Sequence, residues 1–209
     1  MLKYLVFLLF ISTPLFAQST PLLPRLYTVT GVAADDTLNI RESPSASAQD
    51  IGDLLPGQRI EVLAVSNDGK WGQVSKMERT GWVSTRFLTL VPQSDSTNQH
   101  PTGLPSKLSC YGTEPFWGME VAKNAEIAFS PAYAGDSIAQ HIRILGMARP
   151  FNTGPNHFGF TAGQYTGVIR REYCDDGMSD NEYGWSLDIV FPGDGGITML
   201  HGCCSITAP

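Results

Sequence analysis

The sequence predicts an all-β protein in two parts, a small barrel followed by a second antiparallel β-barrel or sandwich. Three observations carry this. First, 21 glycines and 14 prolines are spread through 209 residues, more punctuation than long helices tolerate and without the period of collagen. Second, the apolar residues fall in short runs about ten residues apart with turn signals between them, and no helical stripe follows Leu108. Third, residues 91–107 are polar and proline-punctuated with almost no large apolar side chain, so they read as a linker between two cores. The length permits one or two domains, each with its own core.

The chain opens on an export signal. Residues 1–18 carry one lysine at position 3, an apolar run from Tyr4 to Ile11, then Pro14 and Leu15-Phe16-Ala17. This is the layout of a signal peptide over residues 1–17, cut after Ala17, and it predicts a periplasmic or secreted protein. The apolar run is interrupted before the roughly 20 residues a membrane anchor needs. No later stretch is long and apolar enough, so no membrane span is expected after cleavage. The formal charge is −6, from 20 acidic and 14 basic side chains, and loss of Lys3 makes the mature chain one unit more acidic. No nucleic-acid partner is expected, because neutralising phosphates requires a basic face.

In residues 26–90, Leu38-Asn39-Ile40-Arg41 precedes Ser43-Pro44-Ser45, and Ile51-Gly52-Asp53-Leu54 is followed by Gly57 and Val62-Leu63. Gly69-Lys70-Trp71-Gly72-Gln73-Val74, Thr80-Gly81-Trp82-Val83-Ser84 and Phe87-Leu88 complete the series. In this order the segment resembles the bacterial SH3 domain (SH3b) over about 65 residues. The resemblance implies a small barrel of a kind found in envelope and secreted proteins, often beside cell-wall hydrolases. It further implies a groove for peptidoglycan peptides, with Tyr27, Asn39, Arg41, Trp71 and Trp82 as the candidates by position. Structural roles compete at each. Trp82, between Gly81 and Val83, reads more readily as core. Trp71 opens a strand after a turn and suits an aromatic platform or a core plug equally. Asn39 and Arg41 alternate with Leu38 and Ile40, so they share an outward face that solvent alone explains.

Residues 108–209 form the second part, with strand-like runs at 116–121, 126–130, 141–145, 157–161, 166–170, 185–191 and 197–203. In the sixth run Trp185, Leu187, Ile189 and Phe191 share one face while Ser186 and Asp188 share the other. One buried and one wet face per strand, with short turns, suggest an antiparallel sheet closed so that no edge is left unpaired. All four cysteines lie here, at 110, 174, 203 and 204. In an exported protein an even number reads as disulfides. Cys203 bonded to Cys204 would close a strained ring, and in a strand the two point to opposite faces, so each seeks a distant partner. Cys174–Cys203 with Cys110–Cys204 is favoured, and the swapped arrangement stays open. Such a bridge stabilises by about 3–4 kcal/mol in the chain-entropy model. The absence of Cys-x-x-Cys and of histidines at ligand spacing disfavours zinc, and no metal or other cofactor is expected.

Three motifs stand out: Cys110-Tyr-Gly-Thr-Glu-Pro-Phe-Trp117, Cys174-Asp-Asp-Gly-Met-Ser-Asp180 with Tyr183, and Leu200-His-Gly-Cys-Cys204. Together they resemble an uncharacterised family of bacterial envelope domains, with departures at Asn181 and Gly184, where that family has Arg and Pro. The resemblance implies a fold and disulfides rather than a reaction; a weaker likeness to META-type domains of exported stress proteins points to a barrel as well. Asp175, Asp176, Ser179 and Asp180 could offer oxygen ligands to a hard cation. Their spacing is not that of an EF-hand, and the stronger expectation is that they bond nearby backbone N–H groups and fix the loop that carries Cys174. In Glu114-Pro115-Phe116-Trp117 the proline ends a loop and the aromatics are expected to enter the core, with Glu114 exposed or bonded to backbone.

His141, His157 and His201 are the bases that a cysteine nucleophile would require. Four thiols engaged in bridges argue against an enzyme, and His201, which shares a face with Cys203, reads as packed or surface. The expectation is a non-catalytic protein that binds a peptidoglycan peptide or an envelope protein. A wall hydrolase or metal-dependent enzyme using the 174–180 loop and a histidine is one alternative, and an envelope stress or assembly factor is another. The acidic charge suits a peptide stem better than a phosphate-rich wall polymer.

Overall fold

A computed structural model describes residues 22–92, 104–105, 107–122, 126–131, 138–141, 143–148, 156–193 and 195–207, with the backbone alone over 131–148. The expected signal peptide and most of the expected linker lie outside the described residues. Among those described, every regular element is a strand apart from one 3-10 turn at Thr85–Phe87. No helix there is long and apolar enough to cross a membrane.

The first part holds β1 (Arg25–Val29), β2 (Leu38–Arg41), β3 (Asp50–Leu54), β4 (Arg59–Val62), β5 (Ala64–Val65), β6 (Trp71–Lys76), β7 (Arg79–Ser84) and β8 (Leu88–Leu90). They form a sheet of order β4-β1-β8 and another of order β3-β2-β7-β6-β5. Alternation explains which side chains fill the space between the sheets: Leu38 and Ile40 point in while Asn39 and Arg41 point out. Val29, Leu54, Val62, Val74 and Val83 complete the core. Trp82 is not in it. Gly81 and Val83 take the inward positions of β7 and leave the indole half-buried on the outer face. A Cβ at Gly81 would sit 2.5 Å from Ile40 Cγ2 and 2.9 Å from the Arg41 carbonyl oxygen, so a slipped register that turned Trp82 inward has no room.

The second part holds β9 (Leu108–Thr113), β10 (Phe116–Val121), β11 (Glu126–Pro131), β12 (Ile138–His141), β13 (Arg143–Ala148), β14 (His157–Ala162) and β15 (Tyr165–Arg170). A two-stranded ribbon, β16 (Cys174–Asp175) and β17 (Glu182–Tyr183), precedes β18 (Trp185–Gly193) and β19 (Gly196–Ile206). All but the ribbon join one sheet of order β12-β11-β10-β9-β19-β18-β15-β14-β13. Its two edge strands are neighbours in the chain. His141 ends β12 and Arg143 begins β13, so these two strand ends lie within about 7.6 Å of each other and the sheet has to curl, although β12 and β13 do not pair with one another. The result is a sheet rolled around one core, a barrel left open between β12 and β13 rather than the fully closed sheet expected from the sequence. Phe129 of β11 reaches across that interior, with its ring 5.0 Å from Tyr165 of β15 and 5.6 Å from Phe191 of β18.

Of the aromatic pair after Pro115, only Trp117 enters the core. Phe116 is 60% exposed, because β10 alternates with Trp117, Met119 and Val121 facing in. The buried indole is accommodated by two glycines: a Cβ at Gly112 would meet Trp117 Nε1 at 2.1 Å, and one at Gly202 would meet Cζ2 at 2.6 Å. Cys203 and Cys204 lie on opposite faces of β19. Cys204 turns into the barrel core and bonds Cys110. Cys203 turns outward and bonds Cys174, so that the ribbon is stapled onto the barrel wall, with its Tyr183 packed against Tyr111.

The ribbon also meets the first barrel. Glu182 accepts from Gln73 Nε2 at 2.6 Å, and its backbone carbonyl accepts from Ser75 Oγ at 2.8 Å. Its backbone N–H is shared between Ser75 Oγ at 3.1 Å and Thr80 Oγ1 at 2.9 Å. The two hydroxyls thus stand in for a neighbouring strand, since a half-buried peptide group without a partner costs about 1–3 kcal/mol. We expect Ser75→Ala/Thr80→Ala to speed hydrogen exchange at the Glu182 amide by about tenfold or more while core amides of both barrels keep their protection. An unchanged Glu182 rate would show that the contact does not hold in solution.

Candidate functional site

Trp71 forms the floor of a groove of about 370 Å3 on the first barrel, walled by Ala46, Gly69, Lys70, Ser84, Thr85 and Arg86. The turn before β6 sets it up. Ser66 Oγ donates to Asp68 and accepts from the Trp71 N–H at 3.0 Å, and the Lys70 N–H donates to Asp68 Oδ1. Asp68 lies below its ordinary carboxyl pKa, chiefly through the Ser66 hydrogen bond and then that from the Lys70 N–H. From the other side the Thr85 hydroxyl donates to the Gly69 carbonyl at 2.9 Å and the Thr85 N–H to the Lys70 carbonyl at 2.9 Å. The groove therefore joins a braced aromatic residue to two cationic ones in a chain that is acidic as a whole: Lys70, whose Nζ lies 3.6 Å from Asp68 Oδ2, and Arg86, whose guanidinium stacks on Phe87.

The remaining positions read from the sequence fall elsewhere. Arg41, Trp82 and Gln73 lie side by side across β2, β7 and β6 on the outer face. Asn39 donates to Asp50, which with burial opposing holds the Asp50 carboxyl below its usual range. Arg41 Nη1 donates to the Ala48 carbonyl at 3.1 Å, so both side chains tie down the connection from β2 to β3. Tyr27 lies in the other sheet, packed against the core, and burial raises its hydroxyl pKa. Trp71 alone of the five lines the groove.

The loop from Cys174 to Asp180 is held by its own acids. Asp176 Oδ1 accepts from the backbone N–H of Met178 and Ser179 at 2.9 and 2.8 Å. Its Oδ2 accepts from Ser179 Oγ and Tyr183 OH at 2.8 and 3.0 Å. Burial pushes the Asp176 carboxyl up, but these bonds outweigh it and leave the pKa lowered. Asp175 Oδ1 accepts from the Gly177 N–H, and Asp180 meets Arg79 of the first barrel in a backbone bridge. Tyr111 donates to Tyr183 at 2.8 Å, so a hydroxyl relay ends on Asp176; burial, then the bond to Tyr183, raises the Tyr111 pKa. Among the described residues no group of three or more His, Cys, Asp or Glu is arranged to hold a metal ion.

A second cavity, of about 260 Å3, lies between the barrels and is lined by Glu61, Lys76, Tyr111, Asn181, Glu182 and Ile206 among others. Glu61 Oε2 accepts from the Ile206 N–H at 3.1 Å. Its stem is partly exposed, but Oε1 is sealed from solvent without a partner, as is Asn181 Oδ1. The Trp185 indole N–H lies near enough to favour the carboxylate slightly, yet falls short of hydrogen-bond geometry. Burial dominates and pushes the Glu61 pKa up to about 8.

Of the histidines considered, His141 lies where only the backbone is described, and His157 Nδ1 faces Asn156 Oδ1 at 3.0 Å. His201 keeps different company. Its Nδ1 is 2.7 Å from Asp188 Oδ1, its Nε2 is 3.9 Å from Cys174 Sγ, and Arg170 Nη1 holds the other oxygen of Asp188 at 2.5 Å. Burial raises and these partners, His201 first, lower the Asp188 carboxyl, with a net lowering. Sequence reading missed this trio. Alternation puts Asp188 on the wet face of β18 and His201 on the face of Cys203, but only the pairing of β18 with β19 sets Asp188 opposite His201.

Comparison with protein-family models matches residues 36–89 to the bacterial SH3 domain, which covers the chain from just before β2 into β8. No curated protein matches the chain.

Because Glu61 binds its proton more tightly in the folded chain, its stabilising contribution is full below its ordinary pKa of 4.5 and is lost as pH rises through about 8. We expect Glu61→Gln to be close to neutral near pH 4 and to stabilise by about 1–3 kcal/mol near pH 9. Denaturant melts across that range would read this out, and parallel wild-type and variant curves would refute it.

Proposed function

We propose that this is an exported, non-catalytic binding protein of the bacterial envelope, whose first barrel takes an anionic wall peptide in the Trp71 groove. The groove carries the reading: an aromatic floor braced from both sides and flanked by Lys70 and Arg86 offers stacking surface for an extended chain and two cations for its carboxylates. The match of residues 36–89 to the bacterial SH3 domain supports a wall role, and two disulfides fit an oxidising compartment outside the cytoplasm. The second barrel serves as a rigid support, since its ribbon fastens to the first barrel at Gln73, Ser75 and Thr80 and leaves the Trp71 groove open.

The test is co-sedimentation of the mature protein with purified peptidoglycan, and titration with a synthetic stem peptide bearing free carboxylates. Trp71→Ala is expected to weaken binding by about tenfold or more, and Lys70→Ala/Arg86→Ala to weaken it and flatten its salt dependence. Absence of binding by the mature protein, or equal binding by Trp71→Ala, would remove this reading.

A further inference from the structure

The two disulfides stand in different chemical settings. Cys110–Cys204 is sealed in the core of the second barrel, whereas Cys174–Cys203 is buried outside that core, joining the outer wall to a ribbon whose strands are two residues long. Beside the outer bridge, and not the inner one, stands His201, whose side chain is 59% exposed and which is oriented by Asp188. We propose that Cys174–Cys203 is an exchangeable bridge, reduced and re-formed by a dithiol partner with His201 as its acid–base group and Asp188 as the residue that positions it.

The geometry assigns each atom a part. With the Nδ1–H of His201 donated to Asp188, Nε2 faces Cys174 Sγ with a lone pair in the neutral ring or with an N–H in the imidazolium. One thiol of the dithiol gives its proton to His201 Nε2 and attacks Cys203 Sγ as the thiolate, the Cys174–Cys203 bond breaks, and its electron pair departs on Cys174 Sγ. The His201 imidazolium holds that thiolate and gives it the proton. The second thiol of the reductant then displaces Cys203 from the mixed disulfide, and Cys203 takes up the other proton. Two electrons and two protons pass to the protein, and the dithiol ends as a disulfide. Re-oxidation runs the same steps in reverse, with Nε2 accepting the Cys174 proton. A neighbouring imidazolium is the arrangement that favours the thiolate over the thiol. The outer bridge is joined to a short ribbon, so local opening exposes it at less cost than opening the barrel core exposes the inner one.

The experiment is a graded dithiothreitol treatment of the mature protein, quenched with N-ethylmaleimide and mapped by peptide mass spectrometry. Cys174 and Cys203 should be labelled at reductant levels that leave Cys110 and Cys204 bonded. In the reduced protein Cys174 should be alkylated faster than Cys203. His201→Ala and His201→Gln should each slow Cys174 alkylation by about tenfold without changing that of Cys203, and Asp188→Asn should slow it less. An intact Cys110–Cys204 bridge and an unaltered near-ultraviolet spectrum report that each variant is folded. Reduction of both bridges together or of the inner one first, or a Cys174 rate indifferent to His201, overturns the proposal. Peptidoglycan binding is not part of the readout, so failure here leaves the groove reading standing, and the reverse.

Discussion

Consecutive residues of a strand face opposite ways, and β19 places the most demanding residues of the molecule on that constraint. It is the longest strand, 11 residues, and it lies between β18 and β9 near the middle of the rolled sheet. At Cys203 and Cys204 the alternation sends one bridge outward to the ribbon and the other inward to β9. At His201 and Gly202 it sets an exposed imidazole over Asp188 and clears room for the Trp117 ring on the inside. At Ile206 the backbone N–H reaches Glu61 of the first barrel. A register shift of one residue in this strand would turn both cysteines to the wrong side at once.

Between the two barrels the contacts centre on the ribbon. Glu182 presents its carboxylate and both backbone groups to three side chains of β6 and β7. Gly184 lets Pro24 pack closely; a Cβ there would meet Pro24 Cγ at 2.6 Å. Gly184 is one of the two positions at which the chain departs from the envelope family it resembles, and it is where the ribbon meets the segment leading into β1. The ribbon therefore has two fastenings. The covalent one holds it to its own barrel, and the hydrogen-bonded one couples it to the other.

What was legible in the sequence was local. The pattern of Leu38, Asn39, Ile40 and Arg41 states which residues face the core, because a period of two needs no information from elsewhere in the chain. The opposite facing of Cys203 and Cys204 is legible for the same reason. What was not legible depends on partners distant in sequence. Trp82 is turned out because Gly81 is wedged against Ile40 and Arg41, some forty positions earlier. Alternation suggests a single run over 141–145, whereas β12 ends and β13 begins there, at opposite edges of the sheet, which is a matter of topology rather than propensity. Nothing near Glu182 announces that Gln73 and Ser75 await it, and the Asp188–His201 pairing needs the register of two strands.

The carboxyl of Glu61 also changes what it means for the two barrels to come together. An acid whose pKa is raised to about 8 by burial between them is largely ionised when the surfaces are apart and largely neutral when they meet. Near neutral pH, closing the interface is therefore a proton-uptake reaction. Its heat carries the ionisation enthalpy of whatever buffer gives up the proton, and the juncture between the barrels is chemically linked to the acidity of the surrounding medium.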